Sequence, residues 1–415
     1  MSTPAGPELA LTEPVEPPPA RWTGALCLAS LGLTTAWYGP LQVLLALQAT
    51  AVVGEEGKEA ALAVVVGLGA AFSMLANPVF GALSDRTSSR FGRRLPWVVF
   101  GALGGAASLG LLAVAESLAV MAIAWCAAQT TLNALFAALV AAVPDQVPRT
   151  RRGLVGGWLG MAQTVGIVAG TGLAAAAGGI TAGYLACAAF LLVAVVPYLL
   201  LRRDTVLPAS ARPAWSTRRF VAGFWVDPRR HPDFGWAWLT RFLINLGNAI
   251  GIVYLLFYLA DHVGYADPAA GVFQLTLVYA TTVVLTVVGA GAWSDRLGRR
   301  KVFVTASAVI IALAVAILVA FPAWPAPVVA AVVLGAGYGV YTSVDFALLT
   351  EVLPAAADRG KDLGVVNIAN SLPQVLAPVI AAPVVTHLGG YPVLYAVAAA
   401  FALLGGVLVG RIRSV

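Results

Sequence analysis

Charge is confined to short clusters in this chain, and between the clusters the sequence runs apolar for roughly 20 to 26 residues at a time. Twelve such runs can be counted. As a helix rising about 1.5 Å per residue, each is long enough to cross the roughly 30 Å hydrocarbon core of a bilayer. Backbone in lipid must satisfy its own hydrogen bonds, so the pattern predicts an all-α integral membrane protein with twelve transmembrane helices. Only 11% of the 415 residues are charged and 60% are hydrophobic, against about 25% charged in a soluble domain.

The first six runs extend from Gly24 to Gln48, Ala60 to Leu83, Trp97 to Ala115, Leu118 to Val143, Leu154 to Ala177 and Ala182 to Leu201. The second six extend from Trp236 to Ala260, Val272 to Trp293, Val302 to Phe321, Pro327 to Leu349, Leu363 to Thr386 and Pro392 to Val409. One charged cluster is written twice. Gly81-Ala-Leu-Ser-Asp85-Arg86, followed by Gly92-Arg93-Arg94, returns 210 residues later as Gly291-Ala-Trp-Ser-Asp295-Arg296, followed by Gly298-Arg299-Arg300. Each copy follows the second run of its half, and a Pro-bearing basic loop follows the fourth: Pro144 to Gly153, then Pro354 to Asp362. The chain therefore reads as a duplication. A Pro- and Glu-rich tail over 1–21, expected to be disordered and cytoplasmic rather than a signal peptide, precedes a six-helix bundle over 22–201. A hydrophilic cytoplasmic linker over 202–235 leads to a second six-helix bundle over 236–415. Two such bundles with parallel repeats are the plan of an alternating-access carrier.

Nearly all Arg and Lys residues fall on one side of the alternating spans, with Lys58 the exception, so the positive-inside rule places both termini in the cytoplasm. The net charge of +6 then reports topology and anionic headgroups and calls for no nucleic-acid partner. Cys27, Cys126 and Cys187 lie within spans, and no disulfide framework, metal site or cofactor motif is readable. His231, His262 and His387 lie in loops, which argues against an embedded hydrolase, and no phosphate-binding loop supports direct ATP coupling. The excess of Arg, Ala and Val fits a high-GC bacterial genome.

The pattern Gly-x-x-x-Asp-Arg-x-Gly-Arg-Arg at Gly291 to Arg300, with its partner at Gly81 to Arg94, resembles the loop signature of the major facilitator superfamily. The first copy is longer, with Thr87 to Phe91 inserted before Gly92. This expansion, with Asn77-Pro78 before it and Arg93-Arg94-Leu95-Pro96 after it, resembles the glycoside-pentoside-hexuronide cation symporters and related sucrose carriers, as do Asp345 to Pro354 and Arg359 to Gln374. The resemblance implies a monomeric carrier of the cytoplasmic membrane that moves a small-molecule substrate with a coupling cation, proton or sodium. It also implies a crossed gating latch. Asp85 would face the start of the eleventh helix and Asp295 the start of the fifth, where a carboxylate meets free N–H groups and a positive helix end. Arg86, Arg93, Arg296 and Arg299 would complete the network.

Polar residues within spans are costly in lipid and so mark function. The resemblance places the first, fourth, seventh and tenth helices around a cavity. On these the substrate candidates are Trp37, Tyr38, Gln42, Gln129, Asn133, Asn245, Asn248, Tyr254 and Tyr341, and the eleventh adds Asn367, Asn370 and Gln374. Amides, hydroxyls and aromatic rings suit a neutral polyhydroxylated ligand such as a sugar or glycoside. The same residues can instead bond neighbouring helices. Asp345 is the one acidic residue well inside a span, and Arg241 enters the seventh helix at similar depth. A pair there would either couple a proton to transport or fix two helices together. Efflux of drugs or metabolites, with Asp345 in an aromatic cavity, stays open as a rival reading, as does a receptor that does not transport.

Overall fold

The computed structural model describes residues 14–201, 203–204, 206–208, 210, 216–217, 229–297, 300–351 and 359–413. Most of the expected tail and linker lies outside the described residues. Among those described, the chain is helical and contains no strand. The helices of the first half are α1 (Ala20–Val53), α2 (Lys58–Asp85), α3 (Leu95–Ala113), α4 (Leu118–Gln146), α5 (Arg149–Ala176) and α6 (Ile180–Leu201). The second half has α7 (Pro232–Val253, continued by Leu255–His262), α8 (Pro268–Leu297), α9 (Arg300–Ala320), α10 (Ala326–Glu351), α11 (Arg359–His387) and α12 (Gly390–Leu408). Eleven are long and apolar enough to span a membrane among the described residues, and the bent α7 makes the twelfth.

Most helices overrun the predicted spans because a helix can continue into the headgroup region, where charge is tolerated. α2 thus begins on Lys58 and ends on Asp85. Two helices are broken at matching places. α1 contains a π turn at Pro40–Leu44, where Pro40 cannot donate a backbone bond, and α7 bends by 45° before a π turn at Tyr258–His262. Large apolar side chains such as Leu75, Leu103, Val193, Leu200, Leu285 and Val407 are exposed, as expected where the surrounding solvent is lipid.

Two compact units result: Met1–Gln48 with Ala71–Trp215, and Ala49–Ala70 with Ser216–Val415. The turn from α1 to α2 and the first part of α2 thus group with the second unit, although sequence order places them in the first bundle. Within the first unit α1 packs on α5 and α6, and α3 packs on α4 and α6. The second unit repeats this six helices later: α7 packs on α11 and α12, and α9 on α10 and α12. The duplication read from the loops is therefore a duplication of packing. The α1–α5 contact is closed by glycine. A β-carbon on Gly166 would meet Thr34 and the Leu31 carbonyl, and one on Gly170 would meet the Thr35 carbonyl, so the backbones touch only because these side chains are missing. The second unit's core gathers Phe234, Ile244, Phe303, Ile311, Val344 and Ala402.

Candidate functional site

Three polar constellations stand out, and the first is the Asp-Arg loop of the first unit. Arg93 reaches Asp145 at the end of α4 through Nε at 3.2 Å and Nη2 at 2.5 Å. Arg94 donates from Nε to the same carboxylate at 2.8 Å, from Nη2 to Asp85 at 2.6 Å and from Nη1 to Ser84 at 2.5 Å. Burial works against the Arg94 charge, but Asp145 and Asp85 outweigh it and hold the guanidinium above its ordinary range. The start of α3 is capped by Asp204, which follows α6 and accepts from the Arg94 and Leu95 N–H groups at 2.6 and 2.8 Å. Gly92 makes that approach possible: it has φ +101°, and a β-carbon there would lie 2.3 Å from the Asp204 carboxyl.

The physics expected of Asp85, a carboxylate on a helix start, is thus carried at α3 by Asp204. Asp85 itself pairs with Arg94, and Arg86 is half-buried. Asp145 and Asp204 escaped the sequence reading because each lies far along the chain from the loop it serves; the position of Asp145 in a Pro-bearing loop after the fourth span was the available signal. In the second copy, Gly298 and Arg299 lie outside the described residues, as does the Asp295 side chain, while Arg296 is exposed.

The second constellation is in the first unit. Trp37 donates its indole N–H to Gln129 Oε1 at 2.7 Å, with its ring edge-on to Phe136. Asn133 donates to Ser73 Oγ and to the Gln129 carbonyl, both at 2.8 Å, and accepts from Asn77 at 3.4 Å. Gln42 accepts from Thr171 at 2.9 Å, and Tyr38 is half-buried one turn before it. Ser73, Asn77, Phe136 and Thr171 were not among the predicted site residues.

The third is in the second unit. Arg241 of α7 makes a short ion pair with Asp345 of α10 and donates from Nε to Asn370 Oδ1 of α11 at 2.8 Å. Asn245, one turn on, donates to the same Asn370 oxygen at 2.9 Å and accepts from Tyr338 at 3.3 Å. Asn248 accepts from Tyr279 of α8 at 3.5 Å. The i, i+4, i+7 face of α7 is therefore satisfied by three different helices.

Two further predicted ligand residues have hydroxyl partners within the second unit. The Tyr341 ring is buried and its hydroxyl donates to Asp345 Oδ1 at 2.8 Å, so it is a second partner of the carboxylate. Tyr254 is fully buried and its hydroxyl is taken by the Glu59 carbonyl at 2.8 Å, at the helix ends remote from Asp345. A tyrosine within a span does not announce which way it faces. The Asn367 side chain lies outside the described residues, and Gln374 is exposed.

A duplicated set of membrane-spanning helices with polar clusters embedded among them defines a multi-pass membrane protein with the architecture of a carrier. The profile of the Major Facilitator Superfamily matches residues 24–290 and 249–414, and the chain belongs to that family. It is 31% identical over 180 residues to myo-inositol transporter 3C of Cryptococcus neoformans var. grubii, a match covering 39% of this chain and 29% of that transporter. The fold is similar to the crystal structure of peptide transporter POT in complex with sulfate, with a TM-score of 0.76 at 14% identity over 98% of this chain and 99% of that one. It is also similar to that of nucleoside transporter NupG, with a TM-score of 0.71 at 14% identity over 94% of this chain and 98% of that one.

Proposed function

We propose that this chain is a proton-coupled secondary carrier for a small polyhydroxylated solute, a sugar, glycoside or cyclic polyol, in the cytoplasmic membrane with both termini inside. The single observation that carries the coupling half is the Arg241–Asp345 pair, with Tyr341 and Asn370 as its supports. A carboxylate beside arginine at bilayer depth has a use for two states: charged and paired, or protonated and released. Sodium is the competing coupling ion. The solute half rests on side-chain chemistry. Gln42, Gln129, Asn133, Asn245, Asn248 and Asn370 offer amide donors and acceptors matched to vicinal hydroxyls, and Trp37 offers an aromatic face to a sugar ring. The relationship to a myo-inositol transporter points to the same solute class, and the expanded Thr87 to Phe91 loop favours the glycoside-pentoside-hexuronide and sucrose-carrier branch.

In the cycle, Asp85 and Asp295 with Arg86, Arg93, Arg296 and Arg299 act as the inner latch, which must break for release into the cytoplasm. A thermal-shift screen of the purified protein against sugars, cyclic polyols and lipophilic cations tests the solute class. Hits are then followed by uptake into proteoliposomes under an imposed proton or sodium gradient. Stabilisation by the cations alone would sink the polyol reading and favour export.

A further inference from the structure

The end of the second unit opposite the Asp-Arg loop holds a buried lysine. Lys58, the first residue of α2, is 4% exposed and donates to Asp261 Oδ1 and Glu55 Oε2, both at 2.7 Å. Its ammonium also lies 5.0 Å from the centroid of the Phe257 ring. Asp261 sits in the π turn of α7 and accepts on its other oxygen from Tyr391 at the start of α12, at 2.8 Å. Tyr254 adds its bond to the Glu59 carbonyl next door. One carboxylate thereby ties three helix ends together.

A lysine this buried in protein is expensive unless both its charge and its donors are met, and here they are. Farther along α2, a β-carbon on Gly67 would only just meet Pro378 and Val379 of α11. Apolar side chains such as Leu62, Val65 and Val66 are buried along the same segment, and Lys58 adds its charged contacts at the helix start.

We propose that Lys58, Asp261 and Tyr391 form a charge clamp that keeps the 49–70 segment docked in the second unit, and that the segment undocks when the clamp is released. Hydrogen–deuterium exchange of the full chain in nanodiscs reports the clamp without any solute. In Lys58→Glu, a carboxylate faces Asp261 and Glu55, and exchange in peptides over 55–66 and 254–263 should rise about tenfold, a shift of about 1.4 kcal/mol in the open-to-closed ratio. Tyr391→Phe removes one bond to Asp261 and should give a smaller rise in the same peptides while preserving the fold. The double exchange Lys58→Glu with Asp261→Lys should return exchange to the wild-type level. Unchanged exchange in both Lys58→Glu and Tyr391→Phe overturns the clamp, and so does a double variant as open as Lys58→Glu. A clamp that passes in a protein with no transported polyol leaves this inference standing and removes the solute reading.

Discussion

The two aspartates around Arg94 should differ sharply in what they do for stability. Asp145 is the one to remove. Its side chain is 9% exposed, and it receives three charge-assisted hydrogen bonds from Arg93 and Arg94, whose side chains are 9% and 4% exposed. Taking one partner from a buried pair costs about 3–5 kcal/mol, because the opposing charge stays buried. Arg94 would keep Asp85 and Ser84, and both arginines are long enough to reach toward headgroups, so Asp145→Ala belongs at the lower end, about 3 kcal/mol. Asp85 has one ion pair and a side chain 57% exposed, which puts Asp85→Ala at about 0.2–1 kcal/mol. Asp145→Asn, which keeps shape and loses charge, should fall between them. The measurement is thermal unfolding of each variant purified in one detergent without solute. If Asp85→Ala lowers the midpoint as far as Asp145→Ala does, burial does not rank these contacts and the reasoning fails.

Transport should rank the same loop differently. Asp85→Asn and Asp295→Asn should each collapse cycling while inserted protein stays near the wild-type amount, and normal flux in both would remove them from the latch. Asp345→Asn, which imitates the protonated carboxyl, should abolish uphill accumulation in proteoliposomes and spare solute exchange; accumulation that persists would make Asp345 structural. Arg241→Gln leaves the Asp345 carboxylate buried with Tyr341 alone and should cost about 3 kcal/mol, much of it recovered in Arg241→Gln with Asp345→Asn. Additive losses in that cycle would mean that the two groups contribute independently.

What the sequence disclosed and what it hid divide along a physical line. Lipid forces length and apolarity on each span, so the twelve helices and their order could be read from the apolar runs, and the duplication from the repeated loops between them. The charge of Arg241 and Asp345 was legible for the same reason, since neither belongs at that depth without a partner. Which side chains meet across helices was not legible. Asn370 is 129 residues from Arg241 and 125 from Asn245, yet its one oxygen serves both. Asp204 caps a helix that begins 109 residues earlier. Lys58 read as an exception to the charge rule and is buried and paired with Asp261 and Glu55, because a topology rule counts charges without locating their partners. The partners of Tyr254 and Tyr341, the Glu59 carbonyl and Asp345, were equally out of view, because a tyrosine's chemistry serves packing and ligand binding alike.

The polar chain in the second unit also bears on why so costly an arrangement stands there. A pair that only fastened α7 to α10 could be replaced by apolar side chains of similar volume with little loss, often with a gain. The surroundings of this pair fit a group that changes state. When Asp345 is charged, Arg241 and Tyr341 meet its two oxygens. When Asp345 takes a proton, Tyr341 can still donate to the remaining acceptor, and Arg241 retains Asn370 at 2.8 Å. Neither state leaves the carboxyl or the guanidinium without a hydrogen-bond partner, but the protonated state leaves the Arg241 charge without its counter-ion, and that is the cost a proton gradient would have to meet. Asn370 has a further consequence. Because it also holds Asn245, whose other end accepts from Tyr338, the release of Arg241 would change the hydrogen bonding of an amide that the proposed carrier presents to solute. Coupling would then run through four side chains in direct contact, from a proton on Asp345 to a solute hydroxyl at Asn245.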